Sequence, residues 1–189
     1  GGRGALIVGP SGIGKTALAR AVVEGARGYY VETLYGTEVS RRSPYGALAP
    51  LLSELPLSGT LKPMHALQQI HTLLRRKAGT APLLIVVDDA DDLDEFSVLV
   101  ISQLARRGDA AVVATATDLL RADPEVLSLW ADGFIQRIDV EPLTPAQSRS
   151  LMERILGGPV SERAGREMWQ ETHGKPHFTM LMTKEQVNR

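Results

Sequence analysis

Short apolar, β-branched runs alternate along the chain with stretches whose apolar residues recur every three or four positions. That alternation predicts a parallel sheet covered on both faces by helices. Strands are expected at 5–9, 29–34, 82–88, 110–116 and 134–140. Between the second and third lies a longer, mostly helical insertion. Ser43-Pro44-Tyr45-Gly46 breaks the chain ahead of Ala47-Leu48-Ala49-Pro50-Leu51-Leu52, and Pro63 opens a helix with Met64, Leu67, Ile70, Leu73 and Leu74 on its apolar face. After the fifth strand the pattern turns to helices only. Thr144 is placed to cap a helix with Pro145 in its first position, and Gly157-Gly158-Pro159 ends it. A further helix is expected from Ser161 to Glu171, then Gly174-Lys175-Pro176 ahead of Phe178, Met180, Leu181 and Met182. The pattern therefore divides the chain into an α/β core over 1–142 and a small helical lid over 143–189.

The turn after the first strand carries the most specific chemistry. Ala5-Leu6-Ile7-Val8 runs directly into Gly9-Pro10-Ser11-Gly12-Ile13-Gly14-Lys15-Thr16, a complete G-x-x-x-x-G-K-[ST] phosphate loop, and Ala17-Leu18-Ala19 continues as a helix. The glycines let successive amide N–H groups turn inward onto a phosphate, with the helix dipole behind them. Lys15 reaches the β- and γ-phosphates, and the Thr16 hydroxyl is placed to ligate Mg²⁺.

A second motif lies at the end of the third strand, where Leu83-Leu84-Ile85-Val86-Val87 runs into Asp88-Asp89. Strand ends of this kind lie beside the ligand crevice of parallel sheets. Asp88 would hold a water of the Mg²⁺ shell, and Asp89, if it faces the γ-phosphate, could act as general base on the attacking water. Alone, an acidic strand end is equally an ordinary turn; the phosphate loop upstream gives it meaning. The run Ala90-Asp91-Asp92-Leu93-Asp94-Glu95 reads as helix N-terminal chemistry in preference to a metal cluster. On the fourth strand, Thr115 and Thr117 offer hydroxyls that could stand between the strand-end acid and the γ-phosphate, or be ordinary strand threonines. Trp130 and Trp169 fall on apolar helical faces as core anchors, and Arg106-Arg107 offsets a helix dipole or, as a lesser reading, supplies a finger to a neighbour. His65 and His71 have no metal-spaced partner on their helix.

Composition narrows the class. The chain has 189 residues, 43% apolar and 23% charged, enough for one domain with a small appendage. A net charge of −1 provides no field for DNA, so direct DNA binding by this stretch is not expected. Cysteine is absent, which excludes disulfides and thiolate metal sites. No apolar run approaches the roughly 20 residues of a membrane span, and the first residues show no charged stretch followed by an apolar one, so no membrane partner is expected. Nucleotide chemistry suggests a cytoplasmic location. A chain opening on Gly almost at its first strand is expected to be a domain of a longer protein.

Taken together, the residues resemble the NTPase domain of ATP-binding LuxR-type transcriptional regulators, in the STAND branch of AAA+ ATPases. The carriers are Gly9 to Thr16, Pro44-Tyr45-Gly46-Ala47-Leu48-Ala49-Pro50-Leu51-Leu52, Val86-Val87-Asp88-Asp89-Ala90, Val113-Ala114-Thr115, Leu129-Trp130-Ala131-Asp132-Gly133, Glu141-Pro142-Leu143-Thr144 and Gly174-Lys175-Pro176-His177-Phe178. The phosphate loop is shared by many NTPases, whereas the Pro-Tyr-Gly, Leu-Trp-x-Asp-Gly and Gly-x-Pro segments are more specific. The resemblance implies a three-layer α/β sandwich with a five-stranded parallel sheet in the order 5-1-4-3-2, followed by the lid. It implies a switch between ATP and ADP states, with Mg²⁺ as cofactor, that controls self-association and the output DNA-binding and sensor modules of a parent chain. Gly9, Pro10, Ser11, Gly12, Ile13, Gly14, Lys15, Thr16, Ala17 and Thr115 would bind nucleotide, with Pro176 on the base and sugar side. Lys15 and Asp89 would be catalytic, and Thr16 and Asp88 would serve the metal.

Two positions depart from the family pattern. Thr117 stands where relatives often carry a γ-phosphate-sensing arginine, which implies slow or missing hydrolysis, and Lys175 stands where Asn is common. The adenine preference rests on the resemblance, since no Asn/Thr-Lys-x-Asp guanine-reading segment is present. Rival readings are an AAA+ motor or loader of the replication-initiator type, a small-molecule kinase, and a pseudo-ATPase scaffold.

Overall fold

The computed structural model describes residues 4–56 and 62–187. The chain divides into two compact units, Gly1–Val8 with Thr16–Ile138 and Gly9–Lys15 with Asp139–Arg189.

The first unit is built on a five-stranded parallel sheet. Its strands are β1 (Gly4–Val8), β2 (Tyr30–Tyr35), β3 (Leu83–Asp88), β4 (Ala111–Ala116) and β5 (Gln136–Asp139), in the order β2-β3-β4-β1-β5. This is the expected order 5-1-4-3-2 read from the other edge. β3 and β4 pair from Leu84↔Ala111 to Val87↔Ala114, and β1 pairs with β4 up to Val8↔Ala116, so the carboxyl ends of the central strands fall side by side. β3 is buried from Leu83 to Val87, as a central parallel strand covered on both faces must be.

The helices follow from caps and apolar stripes. α1 (Lys15–Gly25) leaves the phosphate-loop segment, and short α2 (Glu38–Arg41) opens with a capping box between Thr37 and Ser40. A 3-10 turn (Gly46–Leu48) leads into α3 (Ala49–Leu52). α4 (Pro63–Ala78) has Pro in its first turn, three basic residues in its last, and buries Ala66, Leu67, Ile70, Leu73 and Leu74. Met64, expected on that face, is 59% exposed, because the buried stripe begins one turn further in. α5 (Glu95–Arg106) is capped by Asp94 and buries Val98, Val100, Ile101 and Leu104, and α6 (Pro124–Ala131) is capped by Asp123. These helix faces join Leu6, Leu34, Ile85, Val87, Val112 and Ala114 in one apolar core, where each fully buried Leu or Ile contributes about 1.5–3 kcal/mol over exposure. Trp130 is not the anchor its position suggested. It is 41% exposed, and the Arg137 guanidinium lies over its ring at 5.2 Å.

Asp94 does more than cap α5. Its carboxylate, 4% exposed, accepts from the Tyr45 N–H at 2.7 Å, the Ala47 N–H at 3.3 Å, and the Ser97 N–H and hydroxyl. Tyr45 is left-handed at φ +58°. The Pro44-Tyr45-Gly46 break is thus held to the unit by one buried acid.

The second unit contains α7 (Pro145–Leu156), α8 (Glu162–Thr172) and α9 (Pro176–Val187). Thr144 caps α7 in a capping box with Gln147, and Ser161 caps α8. Thr172, Thr179 and Thr183 are buried, and their hydroxyls bond to the Met168, Lys175 and Thr179 carbonyls one turn back. Returning the hydroxyl to its own helix satisfies it and leaves the methyl to pack. Trp169 donates its indole N–H to the Leu143 carbonyl at 2.7 Å, and the Leu143 N–H donates to the Gly174 carbonyl at 2.8 Å.

Candidate functional site

The phosphate-loop segment lies in the second unit up to Lys15. Gly12 and Gly14 adopt φ of +78° and +102°, backbone states that a side chain would strain, and Ile13 N–H donates to the Pro10 carbonyl. Lys15 is only 7% exposed. Its ammonium donates to the Gly9 carbonyl at 2.9 Å and the Pro10 carbonyl at 3.3 Å, which holds the cation over the loop. In the same unit the start of α9 lies against the loop. The His177 N–H donates to the Gly12 carbonyl at 3.2 Å, and the Pro176 ring stands 4.0 Å from where a Cβ on Gly14 would be.

The first unit gathers the remaining candidates at the carboxyl ends of β3 and β4. The Thr16 hydroxyl faces both Asp88 carboxylate oxygens, at 3.1 and 3.0 Å. The Thr115 hydroxyl, fully buried, donates to Asp88 Oδ1 at 2.6 Å and accepts from the Asp89 N–H at 2.9 Å. Asp89 is left-handed at φ +56° and ψ +59°, a state that costs a non-glycine residue about 1–3 kcal/mol and persists only when its surroundings impose it. Two contacts impose it here: the Asp89 N–H on Thr115, and the Asp92 N–H on the Asp89 carbonyl at 2.9 Å. Its side chain is exposed, whereas Asp88 is half-buried.

Thr16, Asp88, Asp89 and Thr115 are therefore brought together in one unit, and Gly9 to Lys15 with Pro176 in the other. Lys15 and Thr16 are consecutive, so the two sets are joined along the chain. Ala17 is exposed on the next position of α1. Thr117 does not join the hydroxyl cluster; its backbone N–H instead donates to Asp91 Oδ1 at 3.2 Å.

A cavity of about 180 Å³ borders the Thr16–Asp88 pair, lined among others by Arg20, Thr33 and Tyr35. Among the described residues no group of three or more His, Cys, Asp or Glu could hold a metal alone. A hydroxyl and a carboxylate, both hard oxygen donors and adjacent, fit Mg²⁺, which takes one or two protein ligands and completes its shell with water and phosphate. Among the described residues no helix is long and apolar enough to cross a membrane.

Sequence reasoning missed three contributors. Gly36, directly after β2, donates its N–H to the Asp88 carbonyl at 2.8 Å, and a Cβ there would lie 1.9 Å from the Asp89 carbonyl oxygen. Asp91, 4% exposed, accepts from the backbone after β4, and Arg41 reaches the Asp91 carbonyl from α2. A glycine immediately after a strand was a visible signal for the first; the other two depend on contacts distant in sequence.

The AAA domain family matches residues 1–122. No curated protein matches the sequence. Solved structures similar to the chain include Thermotoga maritima RuvB, described as a Holliday junction branch migration motor, with TM-score 0.63, 14% identity, and coverage of 95% of this chain and 52% of that one. A proline-to-glycine mutant of the same protein gives TM-score 0.64 at 14% identity, covering 95% of this chain and 53% of that one. A threonine-to-valine mutant gives 0.62 at 16%, covering 95% and 52%. The chain spans about half the length of these structures, and at such identity the likeness is one of fold. With a family match over most of its length and a five-stranded sheet in the expected order 5-1-4-3-2, the chain belongs to the AAA domain family as a P-loop AAA+ NTPase domain.

Proposed function

We propose that this domain binds Mg²⁺-ATP, hydrolyses it slowly, and serves as a regulatory switch in a larger LuxR-type transcriptional regulator. The observation that carries the reading is the chain of contacts from Thr16 through Asp88 to Thr115 and the Asp89 N–H.

Lys15 would exchange its two loop carbonyls for β- and γ-phosphate oxygens, a stronger pairing because both partners are charged. Backbone N–H groups of the Gly9–Gly14 loop, ahead of α1, would hold the phosphates. Thr16 and Asp88, the latter through water, would hold Mg²⁺, which when bound neutralises charge on the phosphates. Thr115 fixes the Asp88 carboxylate and so links its position to the γ-phosphate. In hydrolysis a water oxygen attacks the γ-phosphorus, the bond to the ADP oxygen breaks, and Asp89 accepts the proton of the water. ADP and phosphate leave. With Thr117 in place of an arginine, charge on the transferring group is neutralised less, and turnover is slow.

Residues 143–189 would act as the lid, with Pro176 against the base and sugar. Supporting this, the family segments Glu141-Pro142-Leu143-Thr144 and Gly174-Lys175-Pro176 are tied by the Leu143–Gly174 and Trp169–Leu143 hydrogen bonds, and Pro176 lies near Gly14. The output and sensor modules of a parent chain, and nucleotide-dependent self-association, would be its partners.

A second reading, an AAA+ motor or loader, is favoured by the fold likeness to the branch migration motor. It requires an arginine offered to a neighbour. Arg106 is committed within its own unit to Glu125 at 3.1 Å, Asp132 at 2.8 Å and Ser128 at 2.7 Å, which speaks against it in that role.

Titrating ATP, ADP and GTP with Mg²⁺ while following thermal stability and turnover tests the proposal. Stabilisation by ATP and ADP but not GTP, with slow turnover, is the expected result. Absence of stabilisation by any nucleotide would overturn it, and fast, partner-stimulated turnover would favour the motor.

A further inference from the structure

Three loops follow the strands that carry the candidate site, and one arginine and one buried acid tie them together. The loop after β2 begins at Gly36, whose N–H holds the Asp88 carbonyl and whose lack of a side chain admits the Asp89 carbonyl. It runs into α2, and Arg41, the last residue of that helix, reaches back across the sheet end. Arg41 Nη1–H donates to the Asp91 carbonyl at 2.9 Å and Nη2–H to the Arg121 carbonyl at 2.9 Å. Arg41 Nη1 also stands 3.5 Å from Asp92 Oδ1, which Arg121 pairs with at 2.6 Å. The Asp91 carboxylate takes the Thr117 N–H at 3.2 Å on one oxygen and the Asp118 N–H at 3.0 Å on the other. The loops after β2, β3 and β4 are closed into one clasp.

We infer that Arg41 and Asp91 are positioning residues that hold Asp89 in its left-handed conformation and its N–H on the Thr115 hydroxyl. The inference rests on the hydrolysis reading above. A left-handed aspartate is retained only where its neighbours over-determine it. Asp89 is anchored through its N–H to the end of β4 and through its carbonyl to Asp92. One anchor, Thr115, stands on β4 just ahead of the loop, and the other, Asp92, lies in the turn after β3; the clasp fixes that turn against the end of β4, because Asp91 joins it to the backbone just beyond Thr115 and Arg41 joins it to Arg121. Without Arg41 or Asp91 the turn after β3 is held to the loop after β4 only at the Arg121–Asp92 pair, Asp89 relaxes out of the left-handed region, and its carboxylate swings away from where it would take the proton of the attacking water. Arginine suits the task because its planar fork serves two carbonyls at once, which a lysine ammonium on one flexible stem does not.

The test compares Arg41→Ala, Arg41→Lys and Asp91→Asn with wild type in the full chain, by site-resolved hydrogen exchange and by Mg²⁺-ATP turnover. Exchange at the Asp89, Thr117 and Asp118 amides should rise about tenfold in Arg41→Ala and Asp91→Asn, while Leu6 and Ile85 keep their protection. kcat should fall about tenfold with KM within about twofold, and Arg41→Lys should recover little of it. Unchanged Asp89 exchange in both variants overturns the inference. So does faster exchange with wild-type kcat, or a uniform loss of thermal stability with kcat intact, which is what a merely structural tie would give. Failure of the nucleotide reading is distinguishable, because it shows in the wild type as no binding; a wild type that binds ATP without turnover overturns the positioning role alone.

Discussion

Thr115 donates its hydroxyl hydrogen to Asp88 across the β3–β4 pair at 2.6 Å. Because the same oxygen accepts the Asp89 N–H, one side chain sets both strand-end acids. Thr115→Val keeps the shape and removes the hydroxyl, leaving Asp88 with Thr16 and the Asp89 amide without its acceptor. The variant should lose about 1–3 kcal/mol of stability and retain Mg²⁺-ATP binding while turnover falls at least about tenfold. Thermal unfolding and single-turnover hydrolysis check this; wild-type turnover would show that Thr115 is a packing residue.

Lys15 rests on two carbonyls of its own loop in the structure. Lys15→Ala should remove most nucleotide affinity without unfolding the domain. At about 100 times the dissociation constant, wild type should gain about 2.7 kcal/mol from nucleotide, and the variant far less. Equal gains in both, measured by thermal shift with Mg²⁺-ATP, would exclude Lys15 as a phosphate ligand.

The two acids should separate. Asp88→Asn keeps its bulk but loses the charge that faces Thr16, so the Mg²⁺-dependent part of nucleotide binding should weaken. Asp89→Asn should leave binding intact and suppress hydrolysis, since an amide does not accept the water proton at neutral pH. Binding titrations with and without Mg²⁺ and a phosphate-release assay distinguish them. Turnover as fast as wild type in Asp89→Asn moves the general base elsewhere.

The legible parts of the sequence were those whose signal is local. The five β-rich runs lie within about two residues of the observed strands, because β-branched residues flanked by turn formers mark a strand without help from the fold. Thr144 and Pro145 marked the start of α7 by an equally local signal, a capping side chain ahead of a first-turn proline, and the acidic run 90–95 was read as helix N-terminal chemistry, of which Asp94 proves to be the cap of α5. What local pattern could not show is where side chains go once elements meet. Asp94 binding the Tyr45 amide, Arg41 binding the Arg121 carbonyl, and Trp130 left partly exposed under Arg137 are outcomes of tertiary packing. The left-handed Asp89 was hidden too, since one of the two contacts that impose it comes from Thr115, 26 residues along the chain.

Asp94 is a buried acid surrounded by donors, so its removal should cost stability and not chemistry. Asp94→Ala orphans the Tyr45 and Ala47 amides and the Ser97 amide that caps α5, and should destabilise by roughly 3–5 kcal/mol. Asp94→Asn keeps an acceptor and should cost less. Chemical denaturation measures both, and a loss under about 1 kcal/mol for Asp94→Ala would mean that the Pro44-Tyr45-Gly46 segment is held by packing alone.

The start of α9 joins the phosphate loop by one hydrogen bond, His177 N–H to the Gly12 carbonyl, and by the approach of Pro176 to Gly14. A nucleotide that takes the loop amides and contacts Pro176 on its base side would bind one arrangement of this segment better than others, and only such a difference shifts a two-state equilibrium. Amides from Gly174 to Phe178 should therefore exchange more slowly with ADP or ATP than without, and the two nucleotides should differ if the segment reports the γ-phosphate. Pro176→Ala should reduce both the added protection and the affinity, with Lys15 and Asp88 still holding the phosphate side. Hydrogen exchange under saturating nucleotide decides it: unchanged protection across Gly174 to Phe178 would leave the phosphate loop as a binding site and remove the switch, because a segment that does not sense the ligand has nothing to transmit.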